Sequence, residues 1–469
     1  MSLRIKLTIA FVAAIAMRLG FHLWTGFVAD DAFITFRYAE NLASGYGFVY
    51  NVGEHVLGTS TPFFTWLLAV FAAVRVPVVT AALFISLLFS GLTAVVLYRF
   101  ANSLRFGQLA WLPVLIYVLW PRSVPADVSG METAMFTLLV TASLFYRYRR
   151  QNYYAIGLAT LAALTRPEGG LLLILVFASC VYHDRARWKS YLVTSAALLV
   201  PWLGFAQFYF GSVLPHSIPA KLALYSQFGT VSWWQNLVYL MGWHNPVGWL
   251  MTPLAILGGY WLNRKQAFGT LEALWLAAMI VLFTFSRTRL FFWYVAPIYP
   301  IYILFAAAAI GWVSGRFLKF NKHLAVVTMV IAVGIGAVLS VGLYRQFSHY
   351  REAQTYSEQV LKPIAYYLSQ HVDVSEEVVA AEDIGHIGYY SHCRILDRDG
   401  LISPVAVPYN REAKYLELIL DQRPDWVGVG VGSPISRFID DPRFLLSYVW
   451  QQSFGTESAS QYHLYRCIE

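Results

Sequence analysis

The sequence predicts a polytopic α-helical membrane protein of about 11 transmembrane helices that ends in a small extracytoplasmic α/β domain. Hydrophobic residues make up 58% of the 469 residues and charged residues only 13%, whereas soluble proteins carry about 25% charged residues. Aromatic residues reach 17%, which suits a protein with many interfacial belts. Long apolar runs recur until about residue 345, where the runs stop and the charge density rises.

Eleven apolar runs approach the length of about 20 residues that a span needs. They lie near residues 5–25, 60–76, 78–98, 108–122, 131–147, 154–181, 190–210, 246–262, 270–286, 292–313 and 323–344. The first run lacks a small-residue cleavage site, so we interpret it as an uncleaved helix that starts in the cytoplasm. Basic connectors at 183–189, 263–265 and 316–322 are expected to be cytoplasmic, and an odd number of spans places 345–469 outside.

Two basic connectors, 99–105 and 147–150, conflict with this map. Eleven spans place them outside, against the preference of Lys and Arg for the cytoplasmic side. Division of the run 154–181 at Pro167 would bring both inside, but the even count would then misplace one chain end. We keep eleven spans and leave the arrangement of residues 76–190 open.

The predicted organisation is a membrane-embedded catalytic domain over residues 1–344 and an extracytoplasmic α/β domain over 345–469. The first domain has two long outer loops, 26–59 and 211–245. In the second domain, residues 351–371 have helical spacing. Buried strands are predicted at 378–381 and 426–431, with a helix near 411–421 between them, and this alternation is typical of an α/β domain.

Several classes of protein are disfavoured by the composition. The net charge of +8 arises from basic residues scattered between apolar runs, which indicates membrane anchoring rather than nucleic-acid binding. The three cysteines form no CxxC motif, so a zinc or redox site has no support. Cys180 is expected in the core, whereas pairing of Cys393 with Cys467 in an oxidising compartment stays open. The sequence shows no internal repeat of the kind that many transporters contain.

The leading catalytic candidates are Asp30 and Asp31, which lie just after the first apolar run. Apolar neighbours such as Phe27 and Phe33 flank them, and desolvation should make at least one carboxylate a better base than in water. The alternative is a simple cap for the following helix. A single Asp would suffice for a cap, so the doublet favours a function.

A second group consists of cations where the predicted topology disfavours them. Arg287 and Arg289 follow the ninth span and should face outside, where a bound anion would explain their charge. The alternative is a snorkelling pair beside the aromatic residues 291–294. Lys221 and His216 lie in the predicted Pro-rich outer segment and are candidate contacts of the donor phosphate. The alternative is that this segment is only a connection stiffened by proline.

Other polar residues are weaker candidates for the wall of the same outer cavity. Arg166 and Glu168 lie at membrane depth, where they must pair with each other or face a cavity. Glu54 and His55 precede the second span and could line the cavity. Residues 129–132 match a capping box at the start of a span, a structural role.

Three further observations remain open at this level. Arg18 lies inside the first span and is expected to pair with one of the carboxylates above. Arg37 is a weaker member of the substrate cavity. The segment 382–388 follows a strand but lacks the GxGxxG spacing, so it is weak evidence for a dinucleotide site. A divalent cation has no support from the sequence.

Carboxylates and cations on the outer face of a membrane protein suit glycosyl transfer from a lipid-linked donor, since nucleotide sugars are scarce there. A carboxylate must take the proton from the acceptor hydroxyl. Fixed cations must stabilise the departing phosphate, which needs no general acid. Direct attack on the far face of the sugar would invert the anomeric centre. These carboxylates and cations are therefore expected to converge on one pocket open to the exterior.

The segment 30–51 resembles the first outer loop of bacterial GT-C membrane glycosyltransferases. Within these enzymes, the segment is most similar to the branch of the mycobacterial terminal β-arabinofuranosyltransferase, which uses decaprenyl-phosphate arabinose. Further matching motifs lie at residues 58–62, 129–133, 164–169 and 211–221. The resemblance reaches from residue 30 to about 300, and the C-terminal domain is similar more loosely.

The resemblance implies that Asp30 is the catalytic base and that Asp31 supports it or contacts the sugar, with no firm metal requirement. The sequence departs from the pattern at His216, where the family leads us to expect Asn. The expected function is inverting transfer, for instance of arabinofuranose, from a polyprenyl-phosphate donor to an envelope glycan, lipid or protein. The expected site is the outer face of a bacterial cytoplasmic membrane. A flippase for a lipid-linked sugar and a non-catalytic scaffold are the alternatives.

Overall fold

The computed structural model describes residues 2–225, 231–243, 246–266, 269–286, 288–317, 323–432, 434–455 and 461–468. The α-helices are α1 Leu3–Thr25, α2 Asp30–Ala43, α3 Pro62–Ala73, α4 Val78–Ser103, α5 Leu112–Val118, α6 Ser123–Asp127, α7 Thr133–Tyr148, α8 Asn152–Thr165, α9 Gly169–His183, α10 Trp188–Phe210, α11 Ser217–Tyr225, α12 Trp233–Met241, α13 Pro246–Gln266, α14 Thr270–Thr284, α15 Phe292–Val295, α16 Tyr299–Phe317, α17 His323–Tyr356, α18 Lys362–His371, α19 Ile384–Ser391, α20 Ala406–Arg411, α21 Tyr415–Gln422 and α22 Pro442–Ser447. The strands are β1 Val378–Ala381, β2 Arg394–Asp397, β3 Trp426–Gly430, β4 Tyr448–Phe454 and β5 Tyr462–Cys467.

The chain divides into two compact units. The first unit comprises Met1–Phe27, Ala82–Trp202 and Val231–Tyr350, and the second comprises Val28–Ala81, Leu203–Thr230 and Arg351–Glu469. The second unit thus combines the polar C-terminal segment with most of the predicted outer loop 26–59 and part of the loop 211–245.

Four of the described helical segments are long and apolar enough to cross a membrane: Leu3–Thr25, Val78–Ser103, Arg185–Phe210 and Phe292–Val313. Shorter apolar helical segments are Pro62–Ala73, Gly107–Val118, Gly169–His183 and Thr270–Thr284. Of these, α3 covers only 12 residues of the predicted span 60–76. Its length of about 18 Å is well short of the bilayer core of about 30 Å.

The predicted single span at 154–181 is wrong, because the structure has a hairpin of α8 and α9 there. Pro167 disfavours helical backbone in the residue before it, and Arg166 is extended, with φ −151° and ψ 146°. Gly169 lets the two helices approach closely, since a Cβ there would lie 2.3 Å from the Ala162 carbonyl. The division at Pro167 that the sequence left open is therefore present.

The hairpin bears on the two basic connectors, 99–105 and 147–150, that the eleven-span map placed on the opposite side from the other basic connectors. The Tyr148 hydroxyl donates to the Ser103 carbonyl at 3.2 Å, which joins the ends of α7 and α4. One cavity of the first unit is lined by the connector 147–150 together with His183 and Asn263. Among the described residues, the connectors 99–105, 147–150, 183–189 and 263–265 therefore lie close together, whereas the eleven-span map placed the first two on the opposite side from the others.

A buried ion pair holds α1 in the first unit. Arg18 and Asp127 are 0% and 1% exposed, and Nη2 of Arg18 lies 2.9 Å from Oδ2 of Asp127. The guanidinium also donates to the carbonyls of Val118 and Tyr117, and the Tyr117 hydroxyl donates to the same carboxylate oxygen at 3.0 Å. Arg18 therefore does not pair with the carboxylates that the sequence analysis singled out. Asp127 escaped notice because it lies in a region taken for a connector.

The C-terminal sheet has the strand order β2-β1-β3-β5-β4. β1 is parallel to β2 and β3, whereas β5 is antiparallel to β3 and β4. The predicted strands are found as β1 and β3, and the predicted helix between them is α21. The cysteines Cys180, Cys393 and Cys467 are free, so the disulfide that the sequence left open is not present.

Replacement of Arg18 by Met should lower the stability of the first unit. Removal of one partner leaves Asp127 as a buried unpaired charge, which costs about 3–5 kcal/mol. The measurement is thermal unfolding of the detergent-solubilised protein, with Arg4→Met as the control because Arg4 is exposed at the start of the same helix. Equal unfolding midpoints for the two variants would contradict the expectation.

Candidate active site

The acidic doublet begins α2 but does not cap it. The N-cap position of α2 is Ala29, which makes no side-chain cap hydrogen bond, and Asp30 and Asp31 lie in the first turn. The simple capping role considered for the doublet is therefore not the one in the structure. Asp30 instead contacts the N-terminus of a different helix, α19.

The Asp30 carboxylate accepts hydrogen bonds from three groups of α19. Oδ2 accepts from the Gly385 N–H at 2.9 Å, and Oδ1 accepts from the His386 N–H and from its Nδ1, both at 2.7 Å. A negative charge is stabilised at a helix N-terminus by the free N–H groups and the helix dipole. Asp30 thus serves as the N-terminal anion of α19.

This arrangement determines the charge state of Asp30. Burial acts to raise the pKa of Asp30, but the hydrogen bonds and charge of His386, with the Gly385 N–H, outweigh it and hold the pKa below its usual value. Asp30 is therefore ionised at neutral pH and is a weak proton acceptor. Because its folded pKa is depressed, its stabilising contribution is present above the unfolded value of about 3.9 and is lost as pH falls through the folded pKa.

His386 is the functional candidate that the sequence analysis missed. Its side chain is fully buried, and its ring packs on Phe33 with a centroid distance of 4.1 Å. Donation of the Nδ1 proton to Asp30 fixes the ring orientation. Within the described residues, Nε2 is buried without a hydrogen-bond partner. The signal available in the sequence was the polar segment after β1, which was examined only for a dinucleotide site.

Two glycines of that segment permit α19 to approach α2 closely. A Cβ on Gly385 would lie 1.9 Å from the Asp30 carbonyl oxygen, and a Cβ on Gly388 would lie 1.8 Å from the Tyr50 hydroxyl. Both separations are far inside van der Waals contact. The segment 382–388 is therefore a helix-packing motif that brings backbone N–H groups to the doublet.

Arg37 binds the opposite end of α19. Its guanidinium is 6% exposed and donates to the carbonyls of Gly388 at 2.8 Å and Cys393 at 2.7 Å. A cation is favourable at a helix C-terminus, and Arg37 follows Asp30 by two helical turns, on the same face of α2. Arg37 was expected to line the substrate cavity. In the structure its guanidinium instead binds carbonyl groups at the C-terminal end of α19.

Asp31 has a different environment from its neighbour. Its Oδ2 lies 3.9 Å from Nζ of Lys221, and the two side chains are 36% and 27% exposed. Burial raises the pKa of Asp31, with the charge of Lys221 acting against the shift and that of Asp30 adding to it. The adjacent carboxylates therefore differ, since Asp31 is protonated more readily than Asp30.

Lys221 lies on α11, in the segment that was predicted to be a Pro-rich outer loop. Ala220 and Ala223 of α11 pack against Val407 of α20, and this packing fixes the position of the helix that carries Lys221. His216 precedes α11, and its N–H donates to the Leu57 carbonyl at 2.7 Å. Burial lowers the pKa of His216, which favours the neutral ring.

Glu54 and His55 have other partners in the second unit. Oε1 of Glu54 lies 2.7 Å from Nη2 of Arg394, and its Oε2 accepts from the Asn51 side-chain amide at 3.0 Å. The His55 ring stacks on Tyr209 with a centroid distance of 4.2 Å. These contacts form a surface ion pair and an aromatic stack, and neither of them includes the doublet.

The motif at 58–62 organises the exit from this loop. The hydroxyl groups of Thr35, Thr59 and Thr61 lie within 3.1–3.5 Å of one another, and all three are buried. The Gly58 N–H donates to the Tyr38 hydroxyl at 2.9 Å. The motif therefore cross-links α2 to the start of α3 and holds the doublet's helix in place.

Arg166 and Glu168 belong to the first unit and form a buried ion pair. Nη2 of Arg166 lies 2.8 Å from Glu168 and Nη1 lies 3.4 Å from Glu132, and the guanidinium also donates to the Trp293 carbonyl. This is the structural alternative considered for the pair. The predicted capping box is wrong, because α7 starts after Glu132 without a side-chain cap and Glu132 pairs with Arg166 instead.

The two arginines that were expected to face outside are only partly described. Arg287 lies outside the described residues, and Arg289 is exposed, 5.9 Å from the Phe291 ring centroid. Arg289 belongs to the first unit, whereas the doublet and Lys221 belong to the second. The sequence analysis missed Arg122, which donates to the Tyr239 carbonyl at 2.6 Å. Its position at the end of a predicted span was the available signal.

Comparison with solved structures identifies the fold as that of the GT-C membrane glycosyltransferases. ArnT from Cupriavidus metallidurans bound to undecaprenyl phosphate is 15% identical with a TM-score of 0.63, over 97% of both chains. The Archaeoglobus fulgidus oligosaccharyltransferase in the apo form is 13% identical with a TM-score of 0.59, over 97% of this chain and 74% of that chain. The chain therefore has the polytopic helical fold of these membrane proteins.

Comparison with curated proteins gives a particular relative. The chain is 28% identical over 271 residues to the terminal β-(1→2)-arabinofuranosyltransferase of Mycobacterium tuberculosis. This match covers 52% of the chain and 42% of the relative. Residues 348–465 match the family described as Domain of unknown function (DUF8728). The resemblance that the sequence indicated is confirmed.

Replacement of Gly385 by Ala should unfold the contact between α2 and α19. The added Cβ would lie 1.9 Å from backbone of α2, and such overpacking costs about 3 kcal/mol or more. The measurement is thermal unfolding of the purified protein, with Gly204→Ala as control because that position has open space around it. An unchanged midpoint for Gly385→Ala would refute the close packing.

Proposed function

We propose that the protein is an inverting glycosyltransferase that moves a sugar from a polyprenyl-phosphate donor to an envelope glycan, lipid or protein. The observation that carries the proposal is the division of the acidic doublet. One carboxylate is ionised and accepts hydrogen bonds from a helix N-terminus, and the other faces Lys221. Undecaprenyl phosphate in the named ArnT structure supports a donor of this kind, and the curated relative makes arabinofuranose the first sugar to test.

In this proposal Asp31 is the general base and Asp30 is the positioning residue, which reverses the roles implied by the resemblance alone. Asp30 already accepts three hydrogen bonds from α19 and has a lowered pKa. Asp31 has a raised pKa and is more exposed, and a good base needs both proton affinity and access to the acceptor.

The proposed step begins when Asp31 takes the proton of the acceptor hydroxyl. The hydroxyl oxygen then forms a bond to the anomeric carbon on the face opposite the phosphate. The bond from that carbon to the phosphate oxygen breaks, and polyprenyl phosphate leaves with the electron pair. Lys221 supplies a fixed positive charge for the departing phosphate. His216, which precedes α11, is proposed as a further contact of that phosphate. Arg287 and Arg289 remain proposed phosphate contacts, to be tested by donor binding in Arg289→Ala.

The proposed orientation follows from the distribution of charge. Basic connectors gather at one end of the first unit, and such an end faces the cytoplasm. The first helix carries Arg4 and Lys6 at its start, and a helix that starts in the cytoplasm ends outside. The doublet that follows it is therefore proposed to face the exterior of a bacterial cytoplasmic membrane.

Asp31→Asn should abolish transfer while donor binding remains. Loss of a general base typically costs about 10²–10⁴-fold in rate. Asp30→Asn should instead lower the unfolding midpoint, because it removes a charged acceptor from the α19 N-terminus. The measurement is transfer of labelled arabinofuranose from its polyprenyl phosphate in proteoliposomes, with donor binding and unfolding recorded for both variants.

Three outcomes would contradict this assignment. Full activity in Asp31→Asn, with a stable but inactive Asp30→Asn, would return the role of base to Asp30. Full activity in both variants would exclude the doublet from catalysis, and transport of the donor without transfer would favour a flippase.

Transfer should depend on pH through Asp31. The base must be ionised, so the rate falls as pH falls through the raised pKa, at a higher pH than the ordinary Asp value of about 3.9. Lys221→Met removes the charge that opposes the shift and should move the acid limb to higher pH, whereas Lys221→Arg should leave it in place. The measurement is the pH profile of kcat/KM. A limb that moves to lower pH in Lys221→Met would contradict the assignment.

A further inference from the structure

A cavity of about 1020 Å³ opens at the basic end of the first unit. The ends of four helices, α7, α9, α13 and α14, supply its walls. The proposed transferase chemistry uses none of its residues. Its two walls differ in character, one cationic and one apolar.

The cationic wall carries more positive charge than the described residues neutralise. Arg147 is 7% exposed, with Nη2 2.6 Å from Nδ1 of His183, so its position is fixed. Arg149 and Arg150 are exposed, and no ion pair to either is recorded among the described residues. One carboxylate, Glu272, also lines the cavity, and it accepts from the Gly269 N–H at 3.1 Å. Three guanidinium groups thus face a single carboxylate.

The apolar wall consists of side chains on two of the shorter apolar helices, α9 and α14. Leu175 of α9 and Leu271 and Leu274 of α14 line it, and both helices are among the apolar ones. Leu274 is 50% exposed and Tyr182 is 85% exposed. A hydrophilic anion would leave this surface uncovered, whereas hydrocarbon chains would cover it.

We propose that this cavity binds an anionic phospholipid, with its phosphate at Arg149 and Arg150 and its acyl chains along the leucines of α9 and α14. Guanidinium groups bind phosphate oxygens through paired charge-assisted hydrogen bonds. Basic pockets between transmembrane helices on the cytoplasmic side bind acidic lipid headgroups. A lipid there would tie α7 to α9 and α14, so it would stabilise the first unit whether or not the proposed reaction is correct.

The test compares phosphatidylglycerol with phosphatidylcholine in detergent micelles that contain the full-length protein. Binding is measured by native mass spectrometry, and the unfolding midpoint is recorded with each lipid. Arg149→Gln/Arg150→Gln should weaken phosphatidylglycerol binding about 10-fold. The control is Arg185→Gln/Arg187→Gln, which removes the same charge from an exposed connector outside the cavity wall, and its affinity should change less than about twofold.

A second variant keeps the test independent of folding. Arg150 has φ 57°, a left-handed conformation that glycine adopts without strain, so Arg150→Gly removes a cation while suiting the backbone. It should weaken phosphatidylglycerol binding about threefold to fivefold. Inorganic phosphate should not displace the lipid.

Three results would overturn the proposal. Equal binding of phosphatidylglycerol and phosphatidylcholine would mean that the cations do not select the ligand. An equal loss of affinity in the control variant would mean that general surface charge, and not the cavity, binds the lipid. Displacement of the lipid by inorganic phosphate would identify a site for a soluble anion.

Discussion

The hydrogen bonds from the N-terminus of α19 to Asp30 are the interaction on which the second unit depends. They join a loop near the start of the chain to the α/β part near its end. Arg37 makes the complementary contact at the other end of α19. One eight-residue helix is thus held by an anion at its positive end and a cation at its negative end, as the helix dipole requires.

This contact also makes two chemically identical side chains unequal. Three donors lower the pKa of Asp30, whereas burial raises the pKa of Asp31 against the opposing charge of Lys221. Pairs of carboxylates whose environments separate their pKa values in this way are typical of enzymes in which the two groups have different acid and base roles. The close approach of Gly385 to α2 is what allows backbone N–H groups to act as those donors.

Periodicity and composition were sufficient for the apolar helices, for β1 and β3, and for the doublet, since these are local patterns. The hairpin at Pro167 was visible as an option because proline constrains the residue before it. His386 and Asp127 were not predictable in the same way. Their roles depend on partners more than 100 residues distant, and a single sequence contains no information on which distant groups meet.

The bond between Asp30 and His386 spans 356 residues of the chain, and this separation has a consequence for biogenesis. The doublet is therefore synthesised well before the helix that orients it, because 356 residues separate the two partners. Under the proposed topology both must also cross the membrane before they meet. A chain that has been translated or exported only as far as the doublet therefore lacks the helix that orients Asp30, so the pair can form only after residue 386 has followed.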